Sequence, residues 1–195
     1  VLWWPQAALV VLAYLVGSIS FGLIVAARRG IDLRSVGSGN TGATNVGRAL
    51  GKREGRLVLV LDAAKGLLPT LAGALTRGVD DPWTAGVALA AVAGHCWPVW
   101  HGFRGGKGAA TAAGAMLVLC WPAGLGAIAT YLGAKRASRK VSVGSLAGAA
   151  VGALLAGLVA GTTAPFGGAL GIAALVWARH ADNIARLARG EEPDA

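Results

Sequence analysis

AATAAGAMLVLCWPAGLGAIATYLGAKRASRK, residues 109–140, is one apolar run from Ala109 to Ala134 closed by four cations, Lys135, Arg136, Arg139 and Lys140. As a single span it is long, since a membrane helix needs roughly 20 apolar residues. Cut near Cys120-Trp121-Pro122 it becomes two short spans. Proline does not continue a helix from behind, and tryptophan favours the membrane–water boundary. The choice between the two readings is made by charge elsewhere in the chain.

Five further apolar runs stand at Leu2–Ala27, Leu57–Leu75, Trp83–Trp100, Val143–Gly161 and Ala164–Ala178. In lipid the backbone must satisfy its own polar groups, so these runs are predicted to be helices. Between them lie the cations. Arg28, Arg29, Arg34, Arg48, Lys52, Arg53 and Arg56 fill the first loop, and Arg104 and Lys107 follow later. Lys135 to Lys140 form a third cluster; Arg179, Arg186 and Arg189 form a fourth. The positive-inside rule puts all four on the cytoplasmic side. Six spans would leave the third cluster on the wrong face, and splitting Ala109–Ala134 restores it. The expectation is therefore an all-α integral membrane protein, one membrane-embedded domain over residues 1–195. It has seven transmembrane helices, with the N-terminus outside and the C-terminus cytoplasmic. Only Arg77 then faces out and only Lys65 lies within a span, of 18 lysines and arginines. Leu2–Ala27 lacks a basic leader region and a convincing cleavage site, and reads as a retained span.

Composition agrees. Of 195 residues 55% are hydrophobic and 14% charged, against about 25% charged in a soluble domain. The net charge of +9 sits in short loops between apolar runs. That suits topology and attraction to anionic lipid better than nucleic acid. Cys96 and Cys120 show neither metal spacing nor a disulfide framework, and no Cys/His/Asp/Glu cluster calls for a metal or a cofactor. Gly144, Gly148 and Gly152 recur every four residues, the pattern of close helix packing.

Two glycine-rich loops carry the polar chemistry. Val36 to Arg48 offers Ser38, Asn40, Thr41, Thr44 and Asn45 as hydrogen-bonding side chains and Arg48 as a planar fork for phosphate. Its plainer reading is a flexible loop with a helix cap. Gly94 to Gly108 ends in Gly105-Gly106-Lys107-Gly108 before an apolar helix, an arrangement of free amides, helix dipole and charge suited to an anion. It is not a Walker A loop, because no serine or threonine follows Lys107. The plainer reading is a turn with a topology-setting lysine. Ser142 and Ser145 follow the third cluster, where a serine opening a helix is ordinarily a cap. His180 and Asn183 are three apart and can share a helix face. Asp62 and Lys65, also three apart, read as an internal ion pair. Neither glycine loop contains a carboxylate, and no Gly-x-Ser-x-Gly elbow or His-x4-Asp pair is present in the sequence. A general base would have to be a histidine or the substrate itself.

Taken together, these segments resemble the bacterial acyl-phosphate:glycerol-3-phosphate acyltransferase family. The likeness rests on Gly37 to Asn45 with Arg48, Asp62-Ala63-Ala64-Lys65-Gly66, Gly94-His95 through Gly108, Ser142 and Ser145, and His180, Asn183 and Gly190-Glu191. It implies a seven-helix membrane fold with its motifs at the cytoplasmic face of the inner membrane. It implies acyl transfer from acyl phosphate to the 1-hydroxyl of sn-glycerol 3-phosphate. Lysophosphatidic acid and inorganic phosphate result, as the first acylation of phospholipid synthesis. No metal or cofactor is implied. Beyond the substrates and membrane lipid, the expected partner is the upstream enzyme that forms the acyl phosphate. Arg48, Lys107, His180 and Asn183 are then expected to hold glycerol 3-phosphate. Ser38, Lys107 and the amides of Gly105, Gly106 and Gly108 are expected to hold the acyl phosphate with Ser145. Asn40, Thr41, Thr44, Asn45 and Ser142 complete the binding set, and Glu191 reads as structural. Trp97 and Trp100 replace smaller aromatics and are candidates for shaping an acyl groove. The rival from another class is a transporter or exchanger of an organic phosphate. It would place polar groups nearer the midplane and show internal repeats, whereas the polar groups here cluster at one face.

Overall fold

The computed structural model describes residues 4–194, so Leu2 and Trp3, the start of the first apolar run, lie outside the described residues. Those residues form ten α-helices and no strand. Helices α1 (Trp4–Gly17) and α2 (Phe21–Ala27) follow one another across a break at Ser18-Ile19-Ser20, and α3 (Ala43–Leu50) is a short helix in the first basic loop. Next come α4 (Lys52–Arg77), α5 (Pro82–Cys96), α6 (Ala109–Leu119) and α7 (Trp121–Ser138). Then α8 (Val141–Ala160), α9 (Ala164–Arg179) and the short α10 (Ala181–Ala188) close the chain. The run at 109–134 is two helices: α6 ends at Leu119, and Pro122 sits in the first turn of α7, where its missing N–H has no partner to lose.

Among the described residues three stretches are long and apolar enough to cross a membrane: Trp4–Ala27 across the α1–α2 break, Lys52–Arg77 and Val141–Ala160. Helix α6, at 11 residues, rises only about 16 Å. The outer faces are apolar rather than charged, with Leu75 78%, Leu158 74% and Val60 63% exposed. Such a surface fits lipid and would be a liability in water.

The interior is built from small residues. Helix α5 sits centrally, packed on α1, α4, α6 and α9. Its Ala88, Val92 and Cys96 meet Ala112, Ala115 and Met116 of α6 and Ile172 and Val176 of α9. Both cysteines are free and buried there, acting as small apolar residues. Helices α4 and α6 approach until backbones touch: a Cβ on Gly66 would lie 2.0 Å from the Thr111 carbonyl, and one on Gly114 2.0 Å from the Ala63 carbonyl. Along α8, Gly144 and Gly148 admit the backbone carbonyls of Tyr131 and Ala127 of α7. The four-residue glycine repeat is a packing seam.

The break in the first span is held by buried charge. Lys65 Nζ lies 2.9 Å from Asp62 Oδ1 and donates to the Ile19 carbonyl at 2.7 Å. Asp62 also faces His95 Nδ1 at 3.7 Å. The predicted ion pair therefore has a structural task as well: it satisfies a carbonyl left open where α1 stops. Long-range hydrogen bonds link the basic segments: Arg34 reaches the His101 and Arg104 carbonyls, Lys140 the Glu192 carbonyl and Arg179 the Gly105 and Gly106 carbonyls.

Candidate active site

The first glycine loop is organised by Asn45, near the start of α3. Its Oδ1 accepts from Ser38 N–H at 3.1 Å, and its Nδ2 donates to the carbonyls of Leu33 (3.1 Å) and Val36 (2.9 Å). Asn45 is buried and its polar capacity is committed to shaping the loop. Asn40 Oδ1 accepts from Gly42 N–H at 3.0 Å, an Asx turn. Ser38 and Thr44 are exposed and Thr41 is buried. Helix α3 is not capped by a side chain; Gly42 stands at its N-cap. The loop is tied to its neighbours by two arginines. Arg34 Nη2 donates to the carbonyls of His101 (3.2 Å) and Arg104 (3.3 Å), and Arg48 Nη2 to the Asp194 carbonyl (2.8 Å).

In the second loop the glycines are demanded by crowding. A Cβ on Gly105 would fall 2.2 Å from the His95 carbonyl, and one on Gly106 2.1 Å from His95 Nε2. Gly106 N–H donates to that same carbonyl at 3.1 Å. Gly108, at φ +79°, is the N-cap of α6, and no side chain caps the helix. Its first-turn amides are therefore left for an anion. Arg179, at the end of α9, donates to the carbonyls of Gly106 (3.1 Å) and Gly105 (3.3 Å) and lies over the Trp97 ring at 5.5 Å. Trp97 is thus a bed for Arg179, while Trp100 stands 60% exposed.

The C-terminal residues close the site. His180 stands between α9 and α10, and its Nδ1–H donates to the Val176 carbonyl at 2.7 Å. Burial pushes this imidazole down to about 4. It is neutral at pH 7, with Nε2 left as an acceptor. Asn183 accepts from Lys107 Nζ through Oδ1 and donates from Nδ2 to Glu192 Oε1 at 2.6 Å. Arg186 Nε donates to the other oxygen, Oε2, at 2.8 Å. Burial lowers the Lys107 ammonium below the ordinary lysine value and Arg186 adds repulsion, which Glu192 and Asp182 partly offset. For Glu192 burial alone would raise the carboxyl, but hydrogen bonds, led by that from Asn183, hold it below the usual glutamate value.

Ser142 is buried and makes no hydrogen bond of its own, while lying close enough to hold the Glu192 carboxyl down. The helix-cap expectation fails here: Lys140 is the N-cap of α8 and no side chain caps it. Ser145 Oγ donates back to the Val141 carbonyl at 3.1 Å, the usual habit of a serine within a helix.

Among the expected residues, then, direct contacts join Lys107 to Asn183. No hydrogen bond joins Ser38, Asn40, Thr41 or Thr44 to either among the described residues. The sequence reading missed Arg179, Arg186, Lys140 and Glu192. Lys140 Nζ bonds the Glu192 carbonyl and, at 3.3 Å, Asp194 Oδ1. Glu191, the acid of the Gly190-Glu191 motif, pairs instead with exposed Arg189 at 2.7 Å. The signal available in the sequence was the charge alternation Asp182, Arg186, Arg189, Glu191 and Glu192 on an otherwise apolar chain.

An apolar groove of about 650 Å³ runs between α8 and α9, lined among others by Leu154, Leu158, Phe166, Leu170 and Trp177. Trp177 Nε1 donates to the Leu146 carbonyl at 3.2 Å, next to Ser145. The groove thus ends two residues from Arg179.

Residues 7–190 match the family model described as glycerol-3-phosphate acyltransferase. The glycerol-3-phosphate acyltransferase of Anaeromyxobacter dehalogenans (strain 2CP-C) is 49% identical over 191 residues, 95% of each chain. That of Geobacter sulfurreducens is 44% identical, over 96% of each. The fold is similar to crystal structures of PlsY, an integral membrane glycerol 3-phosphate acyltransferase. Its glycerol 3-phosphate form has a TM-score of 0.94 and 42% identity, covering 98% of this chain and 96% of that one. Its lysophosphatidic acid form has a TM-score of 0.91 and 41% identity, covering 97% and 95%.

Proposed function

The chain belongs to the glycerol-3-phosphate acyltransferase family, and on that premise we propose that it transfers a fatty acyl group from acyl phosphate to the 1-hydroxyl of sn-glycerol 3-phosphate. The products are lysophosphatidic acid and inorganic phosphate, and the step is the first acylation of phospholipid synthesis. The observation that carries the reading is the Lys107–Asn183 contact. It sets an ammonium between the uncapped N-terminus of α6 and the α9–α10 corner, where two anions can be held side by side.

An acyl phosphate is a mixed anhydride with a good leaving group, so no covalent enzyme intermediate is required. The protein's work is to bring two like-charged substrates together and to steady the charge that develops. Ser38, the Lys107 side chain and the amides of Gly105, Lys107 and Gly108 hold the acyl phosphate, with Ser145 beside it; the Gly106 amide, also expected there, donates to the His95 carbonyl instead. Arg48, Lys107, His180 and Asn183 hold glycerol 3-phosphate, with Asn40, Thr41, Thr44 and Ser142 around the substrates and Asn45 shaping the loop. The glycerol hydroxyl attacks the acyl carbonyl, the carbon–oxygen bond to phosphate breaks, and the hydroxyl proton leaves. Neutral His180 offers Nε2 to orient that hydroxyl. With a value of about 4 it is a weaker base than a phosphate monoester, whose second pKa is about 6. The proton therefore ends on a substrate phosphate. The apolar groove at Trp177 supports an acyl tail entering from lipid.

The topology belongs to the same reading. The α1–α2 pair, α4, α5, α6, α7, α8 and α9 make seven spans. The N-terminus is then outside and the site at the cytoplasmic face of a bacterial inner membrane, with all four cation clusters inside. An enzyme forming the acyl phosphate supplies the substrate. The test is direct. Purified protein is incubated with palmitoyl phosphate and glycerol 3-phosphate, and phosphate release requiring both is expected. No release from folded protein in an adequate lipid environment would sink the assignment.

A further inference from the structure

The plane of a trans peptide fixes its N–H opposite its carbonyl. In the second glycine loop two consecutive planes are held by one side chain. Arg179 Nη2 takes the Gly105 carbonyl at 3.3 Å and Nε takes the Gly106 carbonyl at 3.1 Å. The first plane is pinned at its far end too, since Gly106 N–H donates to the His95 carbonyl at 3.1 Å. The second plane carries the Lys107 N–H, which has no acceptor among the described residues. With its carbonyl turned to Arg179, that N–H is turned away from Arg179, at the entrance to the uncapped first turn of α6. The guanidinium lies over the Trp97 ring, 5.5 Å to the centroid, and Trp97 is anchored through its carbonyl, which accepts from Tyr14 Oη at 2.7 Å.

Left unheld, these glycines would turn freely and could present carbonyls to an incoming anion. A planar cation with a fixed fork prevents this; an ammonium has the charge but neither the plane nor the two-pronged geometry. Resting on the acyltransferase reading above, we infer that Arg179 is a positioning residue, which holds the Gly105 and Gly106 carbonyls back so that the Lys107 amide stays aimed at the substrate phosphoryl group.

The test separates fork from charge. Arg179→Lys keeps the charge and loses the fork. The chain has five lysines, so protein labelled with ¹⁵N-lysine gives a small amide spectrum in micelles, with Lys107 assigned through Lys107→Arg. Titrated with inorganic phosphate, the wild-type Lys107 amide is expected to shift. In Arg179→Lys the same shift should need about tenfold more phosphate, the loss of one good hydrogen bond. The KM for palmitoyl phosphate should rise by a similar factor. Trp97→Leu, which removes the ring from beneath the guanidinium, serves where Arg179→Lys does not fold, with the same outcome expected. A wild-type phosphate titration in either folded variant overturns the inference. Absence of acyl transfer by the wild type would count against the function alone, because the titration needs no turnover.

Discussion

Asn183 Nδ2 donates to Glu192 Oε1 at 2.6 Å, so its Oδ1 is the end that meets Lys107. A carboxylate can only accept. Glu192 therefore selects one of two amide orientations, and the selected one holds the ammonium. In Glu192→Gln a terminal NH₂ must face either Asn183 or Arg186, both donors. Activity (kcat/KM) is expected to fall roughly tenfold to hundredfold, the loss of hydrogen bonds to a charged group. Glu191→Gln should leave it unchanged. Removing a nearby negative charge would by itself tighten binding of anionic glycerol 3-phosphate. Tighter binding to Glu192→Gln, measured by calorimetry, would therefore contradict the orienting role.

His180 gives a pH signature. Its imidazole lies at about 4 against an ordinary 6.5, so between these values the unfolded chain binds a proton that the folded one refuses. Stability is full above pH 6.5 and declines as pH falls toward 4. Glu192, also held low, acts in a separate window, losing its contribution as pH falls below the ordinary 4.5. Melting temperatures in detergent should drop from pH 6.5 to 4.5 in the wild type and drop less in His180→Gln. His101, lowered by burial and by Arg34, is common to both proteins and cancels. Parallel curves would show that His180 is not the titrating group.

Arg48 projects from α3 with Nη2 on the Asp194 carbonyl at 2.8 Å, and it is exposed. A guanidinium has donors to spare after one such bond. Arg48→Lys is expected to reduce turnover by about 10²–10³, as when a donor to transition-state charge is lost, with an unchanged melting point. Near-wild-type turnover would remove Arg48 from the site.

Much of this was legible beforehand because lipid leaves the backbone few choices. The break at Cys120-Trp121-Pro122 followed from charge parity, and the glycine seam of α8 from spacing alone. Lys107 and Asn183 were nameable because each sits in a motif of unusual polarity. In the sequence Arg179 is only a topology charge, since nothing local says that its fork will reach Gly105 and Gly106, more than 70 residues earlier. Sequence places Asn45 among the substrate ligands because a side-chain amide looks the same whether it faces a ligand or its own loop. The plainer cap reading of Ser142 fails because α8 already starts at Val141, with Lys140 at its N-cap. Long-range hydrogen bonds are decided by packing, and that is where sequence reading stops.

The glycines offer a last contrast. Gly66 and Gly167 both lie inside helices, α4 and α9. A Cβ on Gly66 would sit 2.0 Å from the Thr111 carbonyl, whereas one on Gly167 meets nothing within 4 Å. Gly66→Ala must push α6 away from α4, and α6 carries the loop that presents Lys107. A loss of several kcal/mol is expected, at the upper end of overpacking costs of about 1–3 kcal/mol because the obstacle is backbone, and activity should fall with it. Gly167→Ala adds a methyl on an exposed helix face and restricts the unfolded chain, gaining about 0.5–1 kcal/mol. Thermal melting of both variants in one detergent checks the pair. Equal melting points would mean that the close α4–α6 approach does not bear on stability, and retained activity in Gly66→Ala would mean that α6 can shift without moving the Lys107 loop.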